Sequence, residues 1–310
     1  MNDWLLTLVG LVVLVVGAEG MVRGAVDLAL RARISPLVVG LTVVSLGTSA
    51  PELLVSLFAA LKGSSVIAVG NVVGSNIVNI TFILGACVLV LPLEVDREAH
   101  RIHWPVMMGS TLLFSGLLKN NVISRSEGGL FVLLLAGYIV WMVRRSRRSH
   151  TAHEGSSAAR MPVWKALLLL AIGVVGLAKG ADWFVEGAVA ISRGLGVSEQ
   201  LIGVTVVAVG TSLPELVTSL VAAIRGQADM GLGNLIGSNV FNLLGIIGVS
   251  SVVFPIQADH MAFQLDIGAM LLSAALLYPL MRLGQRLGRW QGVVLVLFYL
   301  GYVLLVLQRG

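Results

Sequence analysis

Two short motifs place a carboxylate beside proline, glycine and hydroxyl residues, each inside a long apolar stretch. They are GTSAPELL (Gly47–Leu54) and GTSLPELV (Gly210–Val217), which put Glu52 and Glu215 directly after a proline. A glutamate at the centre of a bilayer costs about 2.5–3.5 kcal/mol or more, so a matched pair indicates function. The alternative is that each carboxylate only caps the half-helix that it begins. The symmetry between the two motifs makes capping alone the weaker explanation.

The prolines of these motifs predict two broken helices. Pro51 and Pro214 each remove a backbone donor and clash with the preceding helical turn. Carbonyls near Ser45 and Ala208 are then expected to lack partners within the helix, and in hydrocarbon such groups require protein, water or an ion. Hydroxyl side chains follow one helical turn away. They are Thr48, Ser49, Thr211 and Ser212.

A second pair of motifs, GNVVGSNIVN (Gly70–Asn79) and GNLIGSNVFN (Gly233–Asn242), spaces a serine and an asparagine four residues apart. Residues at this spacing face one way on a helix. The pairs are Ser75 with Asn79 and Ser238 with Asn242. Either serine could instead bond back to a carbonyl of its own helix. Helix–helix hydrogen bonds, rather than ion binding, are expected for Asn71, Asn76, Asn234 and Asn239.

The four motifs together supply carboxylates, amides, hydroxyls and backbone carbonyls. These are hard oxygen ligands, which suit Ca²⁺ and Na⁺ and argue against Zn²⁺ or copper. The single cysteine, Cys87, lies in an apolar run, so a disulfide framework is excluded. The histidines, including His100 and His103, fall in loops or near span ends and are expected to be solvated. No cofactor is expected.

Composition places the motifs in a membrane protein. Of the 310 residues, 57% are hydrophobic and 12% charged, against roughly 45–50% and 25% in soluble domains. Apolar runs of about 18 residues or more, long enough to cross a bilayer, recur along the chain. Ten spans are predicted, at residues 4–29, 35–61, 66–92, 104–118, 127–143, 163–191, 198–224, 228–254, 262–281 and 290–307. The fold class is therefore an all-α polytopic membrane protein, with spans two and seven broken.

The distribution of arginine predicts the orientation. The formal net charge is +5, and the segment Arg144–Arg160 is rich in arginine. The positive-inside bias places this linker, residues 144–161, in the cytoplasm. Five spans on each side then put both termini outside the cytoplasm. A charge excess of this kind reflects orientation in the membrane and not binding of nucleic acid.

An internal repeat divides the chain into residues 1–143 and 162–310. Glu52 and Glu215 lie 163 positions apart, and the same offset relates Gly17 to Gly180 and Asn79 to Asn242. About half the positions of the segment 40–85 are identical in the segment 203–248. The offset covers five crossings, an odd number, so the second copy is expected to be inverted in the membrane. Inverted repeats are typical of secondary transporters, whose sites lie near the bilayer midplane.

These paired motifs resemble the alpha-repeats of the cation/calcium exchanger superfamily, and the short linker is similar to that of its prokaryotic sodium/calcium exchangers. The resemblance implies a Na⁺/Ca²⁺ antiporter of the cell inner (cytoplasmic) membrane, working by alternating access at one midplane site. Its partners would be Ca²⁺ and Na⁺ as substrates and the lipid bilayer. It would function as a monomer and would not be an enzyme.

The resemblance also implies a role for each motif residue. Glu52 and Glu215 would be the central Ca²⁺ ligands, contributed by opposite repeats. The Ca²⁺ and Na⁺ sites would be completed by Thr48, Ser49, Thr211 and Ser212 and the carbonyls of Ser45 and Ala208. Ser75 and Ser238 would form outer Na⁺ positions, and Asn79 and Asn242 would line the central one. Some family members carry Asp at the place of Asn242, so the amide here argues against potassium co-transport.

Two alternatives differ in kind. A Ca²⁺/H⁺ or other cation/H⁺ antiporter could use the same scaffold, with Glu52 or Glu215 exchanging protons. An intramembrane enzyme or a receptor is disfavoured, since the spans hold no nucleophile–base pair and a receptor needs no duplicated buried acids.

Charged residues of the first and sixth spans form a separate set. Glu19 and Asp182 occupy matching places, with Arg23 and Glu186 four residues further on. Glu19 and Arg23 can pair along one helix. Structural or gating roles are expected for this set.

Overall fold

The computed structural model describes residues 2–150, 161–197, 202, 208–283 and 286–309, and nearly all of them are helical. The helices of the first half are α1 (Asp3–Ala32), α2 (Pro36–Val39), α3 (Ser45–Thr48), α4 (Ala50–Leu61), α5 (Ser65–Val78), α6 (Leu84–Val90), α7 (Trp104–Leu118) and α8 (Arg125–His150). Those of the second half are α9 (Val163–Gly194), α10 (Ala208–Thr211), α11 (Leu213–Ile224), α12 (Ala228–Val240), α13 (Gly248–Val253), α14 (Gln264–Arg282) and α15 (Arg289–Arg309).

Within the described residues, four wider π-helical turns adjoin these helices. They are Gly40–Val44, Asn79–Ile83, Ala99–His103 and Phe241–Ile247. Two short antiparallel sheets join loops from opposite halves of the chain. Strand β1 (Leu93–Glu94) pairs with β4 (Arg286–Leu287), and β2 (Val122–Ile123) pairs with β3 (Ile256–Gln257). The two halves of the chain are therefore joined by β-pairing between their loops as well as by packing between their helices.

The described helices confirm a multi-pass helical membrane protein. Seven of them are long and apolar enough to cross a bilayer, or eight if a pair bent by 49°, Pro36–Thr48 with Ala50–Leu61, counts as one span. The fourth predicted span coincides with α7, which is shorter than these. The seventh, 198–224, lies partly outside the described residues, as does the linker 144–161. The number of ten crossings stays a prediction.

Helices α5 and α12, with the segments that follow them, occupy the centre of the bundle. About 78% of the apolar window of each is buried inside the protein, against 22% for α9. Their side chains belong to one hydrophobic core, which includes Ile77 and Val72 of α5 and Leu235 and Ile236 of α12. Polar residues on α5 and α12 consequently face protein and not lipid.

A glycine seam joins the two long helices α1 and α9. A Cβ added to Gly17 would lie 2.8 Å from the backbone nitrogen of Leu177, and one added to Gly173 would lie 2.7 Å from that of Met21. Such distances leave room for hydrogen alone, so the two backbones are in direct contact. Gly10, Gly180 and Gly187 continue the seam. The two helices therefore pack as one unit.

The prediction that His100 and His103 are solvated is wrong. Both are buried, at 7% and 2% exposure, in the π-helical turn Ala99–His103. The His103 Nδ1 atom lies 2.7 Å from the hydroxyl of Tyr138 on α8. His103 thus makes a long-range contact with Tyr138 on α8, which loop composition does not reveal.

Candidate functional site

Both predicted helix breaks are present in the described residues. Ser49 (φ −85°, ψ 7°) and Ser212 (φ −95°, ψ 11°) leave the helical conformation, and a proline follows each in the first turn of α4 and α11. Proline is tolerated there because the first-turn N–H groups have no partner within the helix. Glu52 and Glu215 lie in the same first turns, where the positive end of the helix dipole favours a negative charge.

The expectation that the Ser45 carbonyl lacks a partner within its helix is wrong. It accepts the N–H of Ser49 at 2.9 Å and lies 3.3 Å from the Thr48 hydroxyl. The reason is that Pro51 removes only its own N–H, while Ser49 still closes the preceding helical turn. The Thr48 hydroxyl has a second acceptor, the Oδ1 atom of Asn234, at 3.1 Å. The other predicted carbonyl belongs to Ala208, the first residue of α10.

Hydroxyl groups of the first repeat reach the carboxylate of the second. The Ser49 hydroxyl donates to Oε1 of Glu215 at 2.9 Å. The Ser238 hydroxyl lies 3.5 Å from the same Glu215 oxygen and 3.5 Å from the Thr48 hydroxyl. The structure thus brings the GTSAPELL and GTSLPELV motifs to one place.

The asparagines cross-link α5 and α12 in a nearly symmetric pattern. Asn76 and Asn239 each donate to the other's backbone carbonyl, at 3.4 and 3.1 Å. Asn79 donates to the Asn239 side chain at 3.2 Å, and Asn242 donates to that of Asn76 at the same distance. Asn242 also donates to the Ser75 hydroxyl at 3.0 Å. These bonds orient the amide groups, and the Oδ1 atoms of Asn79 and Asn242 then receive no hydrogen bond from the described residues.

A second symmetric bond ties each acidic helix to its neighbour. Asn71 donates to the Ser56 hydroxyl at 2.9 Å, and Asn234 donates to the Ser219 hydroxyl at 3.0 Å. Asn71 also donates to the backbone carbonyl of Glu52 at 3.2 Å. The helix–helix hydrogen bonds predicted for Asn71, Asn76, Asn234 and Asn239 are confirmed.

The two motif serines differ from each other. The Ser75 hydroxyl bonds back to the Val72 carbonyl of its own helix at 3.2 Å. The Ser238 hydroxyl instead faces Glu215 and Thr48. Helix back-bonding therefore applies to one of the pair.

Buried oxygen atoms without a hydrogen-bond partner concentrate at this place. Among the described residues they include both carboxylate oxygens of Glu52, Oε2 of Glu215, Oδ1 of Asn79 and of Asn242, and the hydroxyls of Ser212 and Thr218. Glu52 and Glu215 are 1% and 0% exposed. A buried carboxylate without donors is strongly unfavourable unless it is neutralised. A set of unpaired buried oxygens that includes two carboxylates is a candidate cation site.

Thr218 was missed in the sequence. It lies three residues after Glu215, hence on the same face of α11, and it is fully buried. The first repeat has Val55 in the matching place, so the repeat gave no signal. Thr211, one of the residues predicted for the site, is half-buried at the end of α10.

Fold and site together define a multi-pass helical membrane protein with a buried, oxygen-lined polar centre between two similar halves. The chain belongs to the sodium/calcium exchanger protein family, whose model matches residues 2–144 and 165–308. It is 38% identical to the putative antiporter CaxA of Alkalimonas amylolytica, over 95% of each chain. It is 32% identical to the sodium/calcium exchanger MaX1 of Methanosarcina acetivorans, over 98% of each.

Solved structures of a related exchanger share this fold. A structure of the sodium-calcium exchanger NCX_Mj soaked with Na⁺ and Ca²⁺ is 33% identical to this chain and superposes with a TM-score of 0.81. The similarity covers 97% of both chains.

Proposed function

We propose that this protein is a secondary active antiporter that exchanges Na⁺ for Ca²⁺. The observation that carries the proposal is the set of buried, unpaired oxygens around Glu52 and Glu215. Carboxylate, amide and hydroxyl oxygens are the ligands that Ca²⁺ and Na⁺ take in proteins. Family membership and the relatives described as exchangers support the same cargo.

The two carboxylates account for exchange. One Ca²⁺ balances the charges of Glu52 and Glu215, so the loaded centre is electrically neutral inside the bilayer. Sodium ions can occupy the same carboxylates together with the hydroxyls, but not while Ca²⁺ is bound. Competition for one site, combined with access from each side in turn, is sufficient for antiport.

We assign the remaining ligands by their positions. The Ca²⁺ and Na⁺ sites would be completed by Thr48, Ser49, Thr211 and Ser212 with the carbonyls of Ser45 and Ala208. Ser75 and Ser238 would serve outer Na⁺ positions, and Asn79 and Asn242 the central one. The Oδ1 atoms of these asparagines lack donors, whereas their amide nitrogens are engaged, which suits an oxygen ligand role.

The proposed architecture is ten spans in two inverted repeats, residues 1–143 and 162–310, with the linker 144–161 in the cytoplasm of a cell whose inner membrane holds the protein. The loop pairings support it. In that topology β1 and β4 fall on the cytoplasmic side, and β2 and β3 on the external side. Each observed pair thus joins loops of the same side.

A transport assay tests the proposal. The protein is reconstituted in liposomes. Ca²⁺ uptake is then measured when it is driven by an outward Na⁺ gradient and, in a separate experiment, by an outward proton gradient. We expect uptake with the Na⁺ gradient. Uptake that follows the proton gradient alone would establish the alternative, a Ca²⁺/H⁺ antiporter in which Glu52 or Glu215 exchanges protons.

Two variants connect the activity to the site. Glu52→Gln and Glu215→Gln each remove one of the charges that balance Ca²⁺, so we expect Ca²⁺ flux to fall by at least about tenfold in a folded protein. Glu98→Gln is the control, since the Glu98 side chain is 36% exposed and pairs with Arg145 away from the centre. Full transport by both site variants would remove these residues from the proposal.

A further inference from the structure

One ion pair ties the α1–α9 unit to the helix that carries Glu215. Arg225, the residue that ends α11, donates from Nε to Glu19 Oε2 at 2.9 Å, and its terminal nitrogen also contacts this carboxylate. Glu19 lies on α1, 206 positions earlier in the chain, and pairs with Arg23 as well. Its side chain is only 24% exposed. The ion pair therefore joins two helices that are far apart in the sequence.

The repeat contains an equivalent pair that is not formed. The offset of 163 positions relates Glu19 to Asp182 and Arg225 to Lys62, with the same charges at both places. Asp182 lies instead 3.4 Å from Lys179 on its own helix and is 67% exposed. Lys62 is exposed, and its ammonium group has no ion pair with any described residue.

Packing around the two pairs shows the same difference. Helix α1 covers α11, where Leu14, Ala18 and Met21 share a hydrophobic cluster with Val217. Within the described residues, α9 does not pack along α4 in the corresponding way. Leu54, the repeat counterpart of Val217, is 53% exposed against 9% for Val217. One of two equivalent interfaces is closed, and the other is open.

We propose that Glu19–Arg225 and Asp182–Lys62 are alternating latches, each of which holds one side of the protein closed. The inference rests on the proposed alternating-access function. Because the glycine seam makes α1 and α9 one unit, a displacement that brings Asp182 to Lys62 also carries Glu19 away from Arg225. The matched charges thereby set the balance between the two access states.

The expected size of the effect is modest. Ion pairs exposed to water shift an equilibrium by up to about fivefold. A shift of that size is sufficient to change which of two similarly populated states predominates. Breaking the Glu19–Arg225 latch should favour the opposite state, and breaking the Asp182–Lys62 latch should favour the present one.

The test uses single cysteines as reporters in a Cys87→Ala background. Leu54→Cys reports the open interface and Val217→Cys the closed one, and reaction with a small maleimide is timed in liposomes without an ion gradient. Arg225→Gln should raise the labelling rate at position 217 and lower it at 54, each two- to fivefold. Lys62→Gln should do the reverse. Lys119→Gln, an exposed lysine outside both pairs, should change neither rate.

Swapping the two charges of an ion pair distinguishes a latch from a contact that only stabilises the fold. The double variants Glu19→Arg with Arg225→Glu and Asp182→Lys with Lys62→Asp should return both labelling rates toward those of the parent. Shifts in the same direction from Arg225→Gln and Lys62→Gln, or no shift from either, would overturn the proposal. Labelling needs no particular coupling ion, so a failed Na⁺/Ca²⁺ assay leaves this result interpretable.

Discussion

At the residue scale, Asn242 determines how many charges the polar centre holds. Its side chain is fully buried, its amide nitrogen donates to Ser75 and Asn76, and its Oδ1 atom has no donor among the described residues. An amide in this place contributes an oxygen without adding a group that protons can occupy. The centre therefore has two carboxylates, whose combined charge would balance one divalent cation in the proposed function.

Replacing Asn242 with aspartate should make transport sensitive to acid. A third carboxylate close to Glu52 and Glu215 adds a group at which protons compete with the cargo ions. We expect the pH at which Ca²⁺ uptake falls to half to rise by about one unit relative to the parent protein.

The measurement is Ca²⁺ uptake by proteoliposomes over a series of external pH values. Asn120→Asp is the matched control, because Asn120 is exposed in a loop. An identical pH profile for Asn242→Asp and the parent would show that position 242 does not contact the cargo ions.

At the element scale, the α1–α9 seam is the feature that single substitutions can test. A methyl group on Gly173 would meet the backbone nitrogen of Met21 at 2.7 Å and the Gly17 carbonyl oxygen at 2.8 Å. Both are backbone atoms, so the helices must separate to admit the side chain. Overpacking of this kind costs about 1–3 kcal/mol.

Gly173→Ala should therefore lower the thermal stability of the purified protein. Gly109→Ala is the control, since a Cβ at Gly109 in α7 meets no atom within 4 Å. Alanine is also the better helix former, so this variant should be as stable as the parent or slightly more stable. The readout is the melting temperature in detergent, and equal values for the two variants would contradict direct backbone contact at the seam.

At the scale of the whole molecule, the proposed topology fixes which surfaces face each compartment. Lys119, near the end of α7, should be external, whereas Arg148, in the last turns of α8, should be cytoplasmic. In a Cys87→Ala background, an impermeant maleimide should label Lys119→Cys in intact cells. Arg148→Cys should react only after the membrane is permeabilised. Labelling of both positions from one side would refute the inverted arrangement.

Much of the fold follows from local sequence, since bilayer crossing depends on apolar length and helix breaks depend on proline. The bounds predicted for the spans agree with the helices to within a few residues in α1, α7 and α15, because caps and apolar runs are local signals. The helix that contains the fifth predicted span extends beyond it, as α8 continues through its arginines to His150. A polar helix end is solvated outside the bilayer and needs no apolar residues.

The site was less accessible to prediction. The motif residues were found because two matched acids in hydrocarbon need an explanation. Thr218, however, has no counterpart in the first repeat, and the partner of the Ser45 carbonyl depended on which helical turn Ser49 completes. The burial of His103 involves its contact with Tyr138, 35 residues later in the chain. Of these outcomes, the Ser45 carbonyl was decided by a local helical turn, and the position of His103 involves a contact between segments far apart in the sequence.

The sequence by itself determined that this chain enters a membrane, that it contains one unit twice, and that oxygen ligands are available at two helix breaks. These properties are written in composition, periodicity and self-similarity. Only the tertiary structure decided which groups meet, such as Ser49 with Glu215 and Asn79 with Asn239, and which of two equivalent interfaces is closed. The two repeats carry residues of similar kind at both interfaces, so local sequence does not select which one closes, and the choice depends on how the halves are packed.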